Sequence, residues 1–241
     1  MTMGIDANIP AQDSGSTERA LLQIWFSPAF PIGGFAYSQG LEKAVEHGLV
    51  RGEETLAAWI ADLFQFGSLR NDLIFTACAW RATVAQDLVS VTNVAELAIA
   101  LQPSAERYME AITQGACFLK AICESWPNPA LVQVLESFGD KSAIPYAVGA
   151  GLVSGAYCLR LGATLESYAL SFASAQISAG IRLGVIGQTA GQRILAELLP
   201  RVMEISAQAA QATLEDAGSS SFSADLCSLE HETQHTRLFR T

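Results

Sequence analysis

The apolar positions of the chain recur every three to four residues, which is the spacing of one face of an α-helix. Leu56, Ile60 and Leu63 form such a stripe. The acidic pair Glu53 and Glu54 precedes it and suits the positive first turn of a helix. No segment sustains the alternation of apolar and polar residues that marks a strand. The pattern therefore predicts an all-α protein, a single-domain helical bundle.

Three further stripes have the helical period: Tyr37, Leu41, Ala44 and Val45; Tyr108, Ile112, Leu119 and Ile122; and Ile194, Leu195, Leu198, Leu199, Val202 and Ile205. Gly48 is the expected stop of the first, because glycine readily adopts the left-handed conformation that ends helices. Pro127 and Pro129 break the chain after the second. Pro200 lies inside the third, over residues 190–214, and is expected to kink or divide that helix.

Two long segments, 144–161 and 168–187, are apolar and rich in Gly, Ala and Ser. A membrane hairpin is the first alternative, but Arg182 would lie in the lipid core at a high cost in free energy. Gly151 and Gly155 have the spacing that lets two helix backbones approach closely. The segments are therefore predicted to form a pair of central helices, rich in small residues and buried nearly all round, with no membrane span.

The two ends differ from the middle. Residues 1–18 are polar and without a period, which predicts a flexible leader, and no secretory signal is visible there. Residues 19–214 are predicted to be the helical domain. Residues 215–241 are predicted to be a flexible joint, over 215–224, followed by a tail.

The composition narrows the possible functions. The net charge of the 241-residue chain is −10 and no basic run occurs, which argues against nucleic-acid binding. Charged residues make up only 16%, so the chain has either an apolar surface that a partner covers or a large core. The five cysteines form no CxxC pair, which indicates a reducing compartment, the cytoplasm.

The string from His231 to His235 matches HExxH, in which two histidines on one helix face bind zinc. It lies close to the end of the sequence, with no apolar helix around it to build a dry site, so a solvated polar turn is the preferred interpretation. Phosphate-loop, nucleophile-elbow and dinucleotide motifs are absent from the sequence. The prediction is no catalytic residue, no metal site and no cofactor.

Residues 27–42 contain two prolines and a Gly pair, followed directly by a helix. This loop has three interpretations. It caps the helix, or its amides bind a phosphate or carboxylate at the helix N-terminus, or its aromatic residues Phe30, Phe35 and Tyr37 are exposed as interface anchors. The ending, with Leu238 and Phe239 between two arginines, either folds onto a partner or docks on its own domain.

Three strings together resemble the UreF family of urease accessory proteins. The string from Pro28 to Glu42, PAFPIGGFAYSQGLE, is similar to the family's opening signature. The string RLGVIGQTAGQR over 182–193 and the ending HETQHTRLFRT over 231–241 are similar to its later elements, in the same order. His235 stands where the family usually has Tyr, and Thr241 where it has Ser.

The resemblance implies a helical, dimerising scaffold that is not an enzyme. It implies that the chain binds UreD (also called UreH), recruits the GTPase UreG, and joins them to the urease apoprotein for nickel insertion. Residues 184–192 are expected to be structural, with glycines that allow close packing and with Gln188 and Gln192 bonded to the backbone. The partner-binding residues that the resemblance implies are Gly33, Phe35, Tyr37, Ser38, Gly40, Glu42, His231, Arg237, Leu238, Phe239 and Arg240.

Overall fold

A computed structural model describes residues 14–138 and 143–241. These residues form α-helices joined by short loops and two 3-10 turns, and they contain no strand, which confirms the all-α prediction. The helices of the described residues are α1 (Ser14–Trp25), α2 (Leu41–Glu46), α3 (Glu53–Gln65), α4 (Ser68–Val84), α5 (Leu88–Ala100), α6 (Ala105–Ser125), α7 (Pro129–Glu136), α8 (Tyr146–Ala156), α9 (Leu161–Arg182), α10 (Gln188–Ala209) and α11 (Phe222–His231).

Helix α8 is the centre of the bundle and is buried from Tyr146 to Gly155. It packs against α4 and α6. Its glycines allow this contact, since a Cβ atom on Gly151 would lie 2.4 Å from the carbonyl oxygen of Thr76. The prediction of a central helix rich in small residues is confirmed for α8. Helix α9 differs from it, because only one of its faces is buried and the opposite face is partly exposed.

Helices α3, α9 and α10 pack on one another beside this centre. Leu56, Ile60 and Leu63 are buried as their spacing predicts. A Cβ atom on Gly191 would lie 2.7 Å from the Ile177 side chain, so glycine allows close packing there. Pro200 does not divide α10, which runs through it as one helix with buried residues on both sides of the proline.

The buried face of helix α6 differs in part from the face that the sequence predicts. Leu119 and Ile122 are buried as expected, but Tyr108 and Ile112 are only partly buried. The residues that take their place in the interior are the polar Arg107, Glu110 and Gln114. Apolar periodicity could not reveal this face, because its buried members are charged or amide side chains that meet at Glu110, together with donors from other segments.

The described ends are bonded to the domain. Helix α1 begins at Ser14, inside the predicted leader of residues 1–18, and Glu18 accepts hydrogen bonds from the backbone N–H (2.5 Å) and Nε (2.7 Å) of Arg160. The rest of that leader, residues 1–13, lies outside the described residues. The predicted joint is fixed as well, since Gly218 N donates to Asn71 Oδ1 at 2.9 Å.

The transmembrane alternative finds no support in these helices. None of the helices in the described parts of the chain is long and apolar enough to cross a membrane. Small residues of the first segment, such as Gly151 and Gly155, allow close helix contact instead.

We predict that Gly151→Ala lowers the free energy of unfolding by about 2 kcal/mol, because the added methyl group overlaps the α4 backbone. The measurement is urea unfolding with the slope checked for change. Gly162→Ala is the matched control, since the space around Gly162 on α9 is open, and it should retain or slightly raise stability. Equal stabilities of the two variants would contradict the close α4–α8 contact.

Candidate partner-binding site

The loop between α1 and α2 is fixed at its base and exposed at its tip. Phe30 is buried, with its ring centroid 5.4 Å from that of Phe118, so its predicted role as an exposed anchor was wrong. Gly33 and Gly40 have positive φ angles of 73° and 80°, which glycine adopts without strain. Between them a 3-10 turn, Gly34–Ala36, carries Phe35, whose side chain is 71% exposed.

The tail, residues 232–241, docks on this loop. The Arg240 N–H donates to the Ala36 carbonyl at 2.8 Å. The Ser38 N–H donates to the main-chain oxygen of Thr241 at 3.0 Å, and the Gln39 N–H donates to Thr241 Oγ1 at 3.2 Å. Binding of a phosphate or carboxylate by the loop amides was one of the three interpretations of this loop. The chain's own Thr241 occupies these amides instead.

The Glu42 carboxylate holds the middle of the tail. It accepts hydrogen bonds from the backbone N–H groups of Leu238 (2.7 Å) and Phe239 (2.9 Å). Its second face meets Nε2 of His231 at 3.2 Å. Glu42 is buried, so each of these contacts replaces a water hydrogen bond that the carboxylate lost on folding.

His231 is enclosed between two carboxylates, because its Nδ1 lies 2.6 Å from Glu106 Oε2 while its Nε2 faces Glu42. Helix α11 ends at His231, so His235 lies beyond the helix and is exposed. The two histidines therefore do not share a helix face as a zinc motif requires. Within the described residues, no group of three or more His, Cys, Asp and Glu side chains is placed to hold a metal ion.

Arg182 joins the loop to the tail. Its guanidinium carbon lies 3.6 Å from the ring centroid of Phe35 and 4.2 Å from that of Phe239, and it donates to the Phe35 carbonyl. A guanidinium between two aromatic rings gains cation–π attraction while it covers their apolar faces. Sequence reasoning gave Arg182 no role at this site. Its signals in the sequence were a charge inside an otherwise apolar segment and the first position of the string over 182–193.

Below the loop lies a buried polar cluster centred on Glu110. Its carboxylate accepts from Gln39 Nε2 and Gln114 Nε2, each at 3.0 Å, from Thr241 Oγ1 at 3.1 Å, and from the Arg107 guanidinium. Three separate parts of the chain thus meet at one buried carboxylate. The sequence offered one signal for it, the spacing of Arg107 and Glu110 by three residues on a helix.

Asp72 belongs to the same region and accepts a hydrogen bond from the Tyr168 hydroxyl at 3.0 Å. Burial raises the pKa of Asp72 to about 6, against the opposing effects of the Arg107 charge and the Tyr168 hydrogen bond. Burial also raises the pKa of Tyr168. Asp72 therefore favours its protonated form more than an exposed aspartate does.

Two adjoining cavities lie between the loop and α9. The outer one has a volume of about 200 Å³, opens beside Phe35 and Phe239, and is lined by Arg182 and by Ser171, Ser174 and Ser178 of α9. The inner one, about 60 Å³, reaches the Glu110 cluster. The inner cavity is of a size for ordered water beside the polar side chains of Gln39 and Glu110, whereas the larger outer one can receive a side chain from another protein.

The structure brings all of the sequence-predicted site residues together and separates them by exposure. The members that form the base are buried or half-buried: Tyr37, Ser38, Gly40, Glu42, His231 and Phe239. The members at the surface are Gly33, Phe35, Arg237, Leu238 and Arg240. Buried residues cannot contact a partner directly in this conformation, so their contribution to any interface is to hold the exposed ones in position.

The element at 184–192 packs apart from this surface. Gly184 has a φ of 75° after the end of α9, as a helix stop requires. Gln188 and Gln192 are exposed, and within the described residues neither side chain bonds to the backbone, contrary to expectation.

These features define a helical binding protein, with an exposed apolar and cationic surface on a rigid polar base. The family model for UreF matches residues 50–199. The chain belongs to the UreF family. Members of this family are accessory proteins rather than enzymes, which confirms the prediction on catalysis.

Relatives similar over nearly the whole chain are named urease accessory protein UreF. The protein of Rhodopseudomonas palustris (strain BisB5) is 44% identical over 98% of this chain and 95% of its own length. That of Methylorubrum populi is 43% identical over 91% of this chain and 97% of its own. That of Agrobacterium fabrum is 44% identical over 95% of this chain and 99% of its own. The chain is therefore a urease accessory protein of the UreF type, involved in urease maturation.

We predict that Glu42→Gln lowers the free energy of unfolding by about 2 kcal/mol, because the amide nitrogen places a donor opposite a buried backbone donor. Hydrogen exchange should show faster exchange of the Leu238 and Phe239 amides. The control is Glu46→Gln, at an exposed position of the same helix. It should change neither the free energy of unfolding nor the exchange of the two amides. Unaltered protection of both amides in Glu42→Gln would refute the role of this carboxylate.

We predict a pH dependence of stability from Asp72. Because its pKa is raised in the folded state to about 6, its stabilising contribution is full below the unfolded pKa of 3.8 and is lost as pH rises through 6. The free energy of unfolding of Asp72→Asn, relative to that of the natural chain, should therefore rise by about 2 kcal/mol as the pH is raised from 4 to 7. Urea unfolding across this range measures the gain, with Glu54→Gln as the exposed control. Parallel stability curves for Asp72→Asn and the natural chain would show that the shift is absent.

Proposed function

We propose that this chain is a scaffold that binds UreD (UreH), recruits the GTPase UreG, and brings both to the urease apoprotein for nickel insertion. Nickel is the cargo of this assembly, and the chain itself performs no bond-making step. The relatives' name, urease accessory protein, supports a role beside urease. We place the function in the cytoplasm, in a homodimer that presents the surface twice.

The observation that carries the proposal is the exposed surface of Phe35, Leu238 and Arg240 above a buried, hydrogen-bonded base. A large aromatic side chain is exposed, yet the stacked Arg182 fixes its position. A fixed aromatic residue loses little conformational entropy on binding, and arginine and aromatic residues contribute most to protein interfaces. The outer cavity beside Phe35 gives a partner side chain a place to insert.

The buried base holds the tail on the domain, so that the tail forms part of the binding surface. Phe239 is 4% exposed and the Glu42 carboxylate binds its amide, so the tail is part of the surface rather than a free peptide. A partner that docks here contacts loop and tail together.

We predict that the variant Phe35→Ala/Leu238→Ala loses the complex with UreD and UreG, because it removes both exposed apolar anchors without opening the core. Co-expression with UreD and UreG, followed by size-exclusion chromatography with light scattering, measures assembly. The affinity of the double variant should fall by about tenfold or more.

Val89→Ala is the matched control, since Val89 on α5 is as exposed as Phe35 and lies away from the loop. It should assemble like the natural chain. Assembly of the double variant at natural affinity would reject this surface as the docking site. Failure of the natural chain to bind either UreD or UreG would reject the scaffold function itself.

A further inference from the structure

Helix α11 turns its large apolar side chains toward solvent. Phe222, Leu226 and Leu229 are 78%, 55% and 47% exposed. Their spacing of four and three residues places them on one helix face, and we call these three residues the α11 stripe. The opposite face, which packs on α2 and α6, carries Ala224, Cys227, Ser228 and His231.

The inner face has a reason within the domain. A Cβ atom on Gly40 would lie 3.0 Å from the Ser228 backbone nitrogen, so helix and loop approach at backbone distance. The hydroxyl oxygens of Ser228 and Ser104 also lie 2.7 Å apart. Small residues are therefore required on this side. The domain gives no such reason for three large apolar residues on the other side.

The backbone of a further exposed apolar residue, Phe66, lies near the N-terminal end of the stripe. The Ser220 N–H donates to the Phe66 carbonyl at 2.9 Å, which places the backbone of Phe66 beside the start of α11. Contiguous exposed apolar side chains on a folded domain mark a surface that another molecule covers, because their hydration is unfavourable. This surface lies on the outer side of α11, whereas the docking surface of loop and tail lies beyond its C-terminal end.

Acidic side chains border the stripe on both sides. At 3.6 residues per turn, Asp225 lies on one side of the α11 stripe and Glu230 on the other. Asp225 accepts a hydrogen bond from the Ser219 hydroxyl at 3.0 Å, and Glu230 Oε2 lies 3.4 Å from His47 Nε2. The whole chain adds a net charge of −10. A partner with basic residues around an apolar centre is complementary to this border.

We propose that the α11 stripe binds an amphipathic helix of another protein, whose apolar residues meet the stripe and whose Lys or Arg side chains meet Asp225 and Glu230. A second copy of this chain fits less well, because two facing stripes would bring like-charged borders together. The proposal does not rest on the scaffold function, since neither Phe35 nor Leu238 takes part in it.

The test uses a defined probe: a synthetic, fluorescently labelled helix of about 15 residues with leucines on one face and lysines beside them. Fluorescence anisotropy with the full chain measures binding. The natural chain should bind saturably and more weakly as salt rises. Phe222→Ser/Leu226→Ser/Leu229→Ser should bind about tenfold more weakly or worse. The control is Val89→Ser, which replaces an apolar residue on α5 that is 71% exposed. It should bind the probe as the natural chain does.

The acidic border has its own comparison. Asp225→Asn/Glu230→Gln keeps the shape and the Ser219 hydrogen bond but removes both charges, and it should lose most of the salt dependence. A probe with glutamates in place of lysines should bind the natural chain about tenfold more weakly.

Three results would overturn the proposal. The triple variant could bind the lysine probe as tightly as the natural chain does. The glutamate probe could bind as tightly as the lysine probe. Light scattering could show the natural chain as a dimer that the triple variant alone abolishes, which would make a second copy the occupant. Because no outcome depends on UreD or UreG, failure here leaves the scaffold proposal to its own test.

Discussion

The buried carboxylates Glu42 and Glu110 constrain the whole site, because a carboxylate that leaves water must find donors in the folded chain. Neither finds enough of them on its own helix. Glu42 takes backbone amides from the tail, and Glu110 takes Gln39 from the loop and Thr241 from the tail. Satisfying the two carboxylates thus requires loop, tail and α6 to occupy one arrangement. The surface above them is ordered as a consequence.

The helices follow from local patterns more fully than the site does. Stripes such as Leu56, Ile60 and Leu63 report burial directly, because an apolar residue gains by burial whatever its neighbours are. Whether a charged residue is buried depends on the partners that it finds in the folded chain. Arg107 lies more than one hundred residues from Thr241, although both contact Glu110. Spacing along the sequence cannot reveal contacts between residues this far apart, and the interior face of α6 was mispredicted for that reason.

The same limit applied to the tail. Its composition, an apolar pair between arginines, was equally compatible with docking on the domain and with binding a partner. The structure shows that the tail docks on the domain and that its residues differ in exposure. Phe239 points into the base, while Leu238 and Arg240 stay at the surface. The chain bends at Leu238 and Phe239, and the side chains of these two neighbours differ in exposure. The resemblance to the family located the residues, and only the coordinates assigned a side to each.

The low charge of the chain has two structural causes that composition could not separate. One is the centre of the bundle, where α8 is buried along its length and carries no charged residue. The other is the surface, where Phe35 and the α11 stripe expose large apolar side chains. A bundle with a buried central helix needs fewer charged positions, but it does not need exposed phenylalanines. They lie at two separate places, one on a fixed loop and one on a helix with an acidic border, which is why we propose two different binding surfaces rather than one.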